Sequence, residues 1–109
     1  LVGQEGAVTF TAGSRAARIV GAGRTVERYH CSYGLNPAYL PALVAGGMRF
    51  TGHDDDGEVR VAELPSHPFY VAALFQPELA QDRHPLVRAF AQATADRRAE
   101  RGVPSEIPL

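Results

Sequence analysis

The stretch Phe69-Tyr70-Val71-Ala72-Ala73-Leu74-Phe75 is apolar at every position and stops abruptly at Gln76-Pro77-Glu78. A short apolar run without alternation, bounded by Pro68 and Pro77, predicts a strand covered on both faces, as strands of an α/β sheet are. Polar side chains just past the carboxyl end of such a strand stand where open α/β sheets place their ligands, which makes Gln76 and Glu78 site candidates. The fold class this predicts is α/β: an open sheet with a β-hairpin and flanking helices.

Working outward, His84-Pro85 begins a helix with Leu86, Val87, Phe90, Ala93 and Thr94 on one stripe. Arg97, Arg98 and Arg101 at its far end suit the helix dipole. On the other side, Met48 to His53 and Glu58 to Leu64 flank Asp54-Asp55-Asp56-Gly57, a strong hairpin signal. Those carboxylates lack the alternating ligands and distal Glu of a calcium loop and read as a solvated turn. Asn36-Pro37 offers a cap and first residue for a helix carrying Leu40, Leu43 and Val44, closed by Gly46-Gly47. Nearer the start, Ala7 to Phe10 and Arg15 to Val20 read as two strands joined by Ala12-Gly13-Ser14, and Thr25 to Leu35 as extended chain. The Gly21-Ala22-Gly23 triplet lacks the helix and third glycine of a nucleotide loop and reads as a turn. Residues 1–101 form the expected domain and 102–109 a tail.

Composition limits the chemistry. The 109 residues are 45% apolar, with 11 basic against 12 acidic side chains and a net charge of -1, which points to neither nucleic acid nor an anionic membrane. No apolar run is long enough to span a bilayer and no signal peptide pattern opens the chain, so a cytoplasmic location is expected. Every basic residue is Arg, so Schiff-base and lysine-base chemistry have no residue to use. A lone Cys31 and histidines 30, 53, 67 and 84 without ligand spacing predict neither disulfide nor zinc, and no cofactor is called for. The only Met is Met48, so the chain reads as a C-terminal piece of something longer.

The succession Glu27-Arg28-Tyr29-His30-Cys31-Ser32-Tyr33, Asn36, Tyr39, the Gly52 to Gly57 hairpin, Leu64-Pro65-Ser66-His67-Pro68-Phe69-Tyr70-Val71-Ala72, Phe75-Gln76-Pro77-Glu78 and His84-Pro85-Leu86 resembles the C-terminal half of the glutaminase domain of CTP synthases. The blocks keep their order and approximate spacing from about residue 15 to residue 95. That resemblance implies a class I glutamine amidotransferase-like (flavodoxin-like) open sheet, here in part, with the missing N-terminal half of the domain as a partner and a glutamine-like small molecule as ligand. An open sheet edge also makes a second copy of the chain a candidate partner.

In that family the motif ending the buried strand is Phe-His-Pro-Glu, its His the general base and its Glu the orienting carboxylate. Here Glu78 matches the carboxylate and Gln76 stands in place of the His. A carboxamide does not titrate near neutrality and cannot act as general base. The family also carries an Arg before the Tyr matching Tyr33 that receives the substrate carboxylate, and here that position is Ser32, which lacks the charge and the fork. Both departures imply a domain without ordinary glutaminase activity. The alternative is an enzyme or redox protein dependent on Cys31, with His30 beside it. The Tyr-His-Cys run resembles stand-alone relatives of the CTP synthase C-terminal region, which favours Cys31. His67 and His84 read as hydrogen-bonded turn residues at X-His-Pro boundaries.

Overall fold

The computed structural model describes residues 4–30, 34–80 and 83–101. In chain order they form β1 (Glu5–Phe10), α1 (Arg15–Val20), β2 (Arg24–Arg28), a 3₁₀ turn (Pro37–Tyr39) leading into α2 (Leu40–Ala45), β3 (Arg49–His53), β4 (Val59–Glu63), β5 (Val71–Ala73), a second 3₁₀ turn (Pro77–Leu79) and α3 (Pro85–Glu100). The strands make one sheet in the order β2-β1-β3-β4-β5, and every pairing is antiparallel. The α/β class, the hairpin and the flanking helices are as the sequence predicts. The tail predicted over 102–109 lies outside the described residues.

Two local expectations are corrected. The segment Arg15–Val20 is helical, not a strand. Ser14 caps it by accepting from the Ala17 amide at 3.1 Å, and Gly21 closes it at φ 76°, a conformation that costs glycine little. The β-branched Ile19-Val20 pair carried the strand reading, but the caps and two alanines prevail. The second correction concerns Phe69 to Phe75. Only Val71–Ala73 is strand, and it lies at the sheet edge, with Tyr70, Ala72 and Leu74 exposed and Phe75 fully buried. Unbroken apolarity there signals one face packed inward and a second face and edge left open.

Elsewhere the local chemistry works as read. Asn36 caps its 3₁₀ turn by accepting from the Ala38 amide, and His84 caps α3 through Nδ1, which accepts from the Leu86 amide at 3.0 Å. In the hairpin, the Asp54 carboxylate accepts from the Asp56 and Glu58 amides while Gly57 takes φ 81°. Burial works against ionisation of Asp54, but those two amides and the Arg60 guanidinium outweigh it and hold its carboxyl below the usual carboxylate range.

The core comprises Val8, Phe10, Ala16, Tyr29, Val61, Phe75 and Leu86, drawn from sheet, helices and strand ends alike. At its centre β3 must pass very close to its neighbours. A β-carbon at Gly52 would lie 2.6 Å from Val61 Cγ2 and 3.3 Å from Val8 Cγ1. Gly52→Ala is therefore expected to destabilise the fold by about 2–3 kcal/mol through overpacking, read as a lowered urea midpoint. No helix among the described residues is long and apolar enough to cross a membrane.

Candidate functional site

The sheet curls so that its two outer strands approach one another. The Gln76 amide, just beyond β5, donates to the Arg28 carbonyl at the end of β2, 2.8 Å away. Beneath this bridge Tyr29 and Phe75 meet edge to face at 6.4 Å, both essentially buried. Gln76 and His30 are thereby brought to one end of the sheet, His30 lying two residues past the carbonyl that holds Gln76.

Gln76 is half-buried, and its side chain makes no hydrogen bond among the described residues. Glu78, in the 3₁₀ turn that follows, is exposed and has no ion pair among the described residues. His30 is exposed. Three further candidates, Cys31, Ser32 and Tyr33, lie outside the described residues.

A buried arginine and its carboxylate partners lie behind Tyr29 at this end. Arg60, buried at 4% exposure, lies 5.3 Å from the Tyr29 ring centroid and pairs with Asp54 and Glu58, each at 3.0 Å. Burial raises the Tyr29 hydroxyl above its ordinary range, with Arg60 acting in the opposite direction. The hydroxyl and Arg60 Nη1 are both buried and have no hydrogen-bond partner among the described residues.

Two buried carboxylates escaped sequence reasoning as structural anchors. Glu27 accepts from His84 Nε2 at 2.9 Å and from the Thr25 hydroxyl, with both members of the His–Glu pair 6% exposed. Because His84 Nδ1 is already an acceptor at the α3 cap, Nε2 carries the proton and donates to Glu27. Glu63 accepts from the Arg15 amide (3.1 Å), the Ala16 amide (2.8 Å) and the Thr51 hydroxyl (2.8 Å), tying α1 to β3 and β4. A signal for Glu63 existed in the alternation: it shares a strand face with Val59 and Val61, so a carboxylate there must find donors.

These contacts decide which histidines are available for proton transfer. Both ring nitrogens of His84 are engaged, and His67 Nδ1 accepts from the Phe69 amide. Their reading as turn residues holds. His84→Asn retains a capping acceptor but strips Glu27 of a donor, and is expected to lower stability by about 2 kcal/mol, checked by urea denaturation. Among the described residues no group of three or more His, Cys, Asp or Glu side chains could hold a metal ion.

Comparison with known proteins gives this geometry a context. No protein-family profile matches the chain. A CTP synthase from Rubrobacter xylanophilus is 39% identical over 94 residues, covering 83% of this chain and 17% of that enzyme. Among solved structures, the Trypanosoma brucei CTP synthase glutaminase domain with bound acivicin superposes with a TM-score of 0.77 at 27% identity. That match covers 84% of this chain and 39% of the relative. The chain thus spans less than half the length of each of these two relatives.

Proposed function

Starting from a chain related to the class I glutamine amidotransferase domain of CTP synthases, we propose that it is an amidotransferase-like module without ordinary glutaminase activity, whose site holds a glutamine-like small molecule. One observation carries this reading. The strand-end position implied for the general base is Gln76, and His84, a candidate substitute, already spends both ring nitrogens on the fold. Glu78 then has no imidazole on that turn to orient, in keeping with its exposure and lack of partners among the described residues. Ser32 in place of the family's arginine supports the same conclusion, because a neutral hydroxyl anchors a carboxylate far more weakly than a guanidinium fork. The ligand class follows the solved relative, a glutaminase domain holding acivicin. The setting proposed with it is cytoplasmic.

The test joins this chain to the part of the T. brucei glutaminase domain that lies outside the match, and measures ammonia release from glutamine. Release at background supports the proposal, and turnover at the rate of the intact T. brucei domain overturns it.

A second reading rests on His30, which is exposed at the mouth of the site beside Cys31 in sequence. It makes the thiol the nucleophile or redox group for a different small molecule. Alkylation kinetics against pH decide it: a thiol titrating at or above about 8.5, the ordinary value, contradicts an activated cysteine.

A further inference from the structure

Where β1 ends and β3 begins, a hollow of about 520 Å³ is lined by three arginines, Arg15, Arg18 and Arg49, together with Thr11, Ser14 and Phe50. One backbone carbonyl holds each guanidinium: Arg15 donates to His67 at 3.3 Å, Arg18 to Gly13 at 3.1 Å and Arg49 to Met48 at 3.2 Å. A guanidinium carries five N–H donors, so each keeps most of its fork for something else. None of the three forms an ion pair among the described residues, in contrast to Arg24, Arg28, Arg60 and Arg97. The one carboxylate lining the hollow, Glu63, is buried and already accepts from the Arg15 and Ala16 amides and the Thr51 hydroxyl. Against three guanidiniums it offsets one charge and leaves two in surplus. The first amides of α1 are spent on Glu63 and on Ser14 Oγ, so the positive field here comes from side chains and not from a helix end.

A chain of net charge -1 gathers unbalanced cations in one concavity only against their mutual repulsion, and an anion seated among them relieves it. Planar guanidinium forks match the paired oxygens of phosphate and carboxylate groups, and the volume is that of a small-molecule site. We propose that the hollow between α1 and the start of β3 binds a compact polyanion bearing two or more phosphate or carboxylate groups, with Arg18 and Arg49 as charged anchors and the Ser14 hydroxyl as a neutral donor. Ser14 can serve in this way because Oγ accepts from the Ala17 amide and leaves its O–H to donate. The register of the sheet sets Glu5 against Arg28, so the Arg28–Gln76 bridge stands at one end of β1 and Thr11 follows the other. Six strand residues separate the two, roughly 17 Å of chain. The anion site is therefore remote from Gln76, and it stands whether or not glutamine is turned over there.

Calorimetric titration of the 109-residue chain with pyrophosphate and, separately, with citrate tests the site. At least one of the two is expected to bind at one per chain, more weakly as salt rises. Arg18 and Arg49 are both exposed, so replacing them leaves the core untouched. Arg18→Gln and Arg49→Gln are each expected to lower the affinity by about tenfold or more, whereas Arg24→Gln, exposed but paired with Asp55, should leave it unchanged. The preference between the two anions assigns the phosphate or the carboxylate class. Absence of binding by both, more than one site per chain, or an equal loss in Arg24→Gln overturns the proposal. So does a glutamate decamer that binds where both small anions fail, which would make the patch a surface for an acidic protein segment. Arginine modification by phenylglyoxal, mapped by mass spectrometry, gives a readout that needs no variant. Saturating anion should protect Arg18 and Arg49 selectively, and protection of all exposed arginines alike, or of none, overturns the site.

Discussion

Glu63→Ala is expected to destabilise the fold by about 3–5 kcal/mol, a large share of the roughly 5–15 kcal/mol that holds a domain together. The carboxylate satisfies the first two amides of α1 and the Thr51 hydroxyl, two of the three bonds fully buried. Removing it leaves three donors without acceptors and opens a space at the junction of α1, β3 and β4. Glu63→Gln keeps one acceptor oxygen but turns an amide NH₂ toward groups that are themselves donors, so a cost of about 2 kcal/mol is expected. Urea unfolding of the two variants separates these figures. A Glu63→Ala variant within about 1 kcal/mol of the parent would mean that α1 is held by its Ser14 cap and packing alone.

The second large effect is catalytic and runs toward gain. In the joined polypeptide, Gln76→His restores a titrating side chain two residues before Glu78, on a backbone fixed by the hydrogen bond from the Gln76 amide to Arg28. General bases contribute typically 10²–10⁴-fold, so glutamine hydrolysis is expected to rise by about 100-fold or more. Adding Ser32→Arg should act chiefly on KM, since a guanidinium recognises the substrate carboxylate before and during reaction alike. A rise in kcat from Ser32→Arg alone would show that Gln76 is not the limiting defect.

Much of this architecture was legible in residue order because punctuation is local chemistry. Asn36-Pro37, Asp56-Gly57 and His84-Pro85 each mark an element boundary through bonds made within a few residues, and each boundary lies where the sequence puts it. What failed depended on distant partners. Arg15–Val20 is helical in part because Glu63, 48 residues from Arg15, accepts from its first turn. β2 buries Glu27 and exposes Val26, the reverse of what polarity predicts, because His84 and Thr25 satisfy the carboxylate. The run from Phe69 to Phe75 holds only a three-residue edge strand, Val71–Ala73, because its apolar side chains divide between a buried face ending in Phe75 and an exposed one carrying Tyr70, Ala72 and Leu74.

The site was legible to a different degree. Gln76 and Glu78 are candidates by position and by resemblance, and the fold sets Gln76 at a curled sheet end close in the chain path to His30. The bond from His84 Nε2 to Glu27, which occupies the nitrogen left free by the α3 cap, joins residues 57 apart and has no signature in the turn pattern, whereas His67 is held only by the local Phe69 amide.

The central claim is that a carboxamide at position 76 silences glutamine hydrolysis. It is tested most directly by measuring ammonia release in parallel from the joined polypeptide carrying Gln76 and from its Gln76→His variant. The predicted result is background release from the former and at least about 100-fold more from the latter. Equal, substantial release from both would contradict the account.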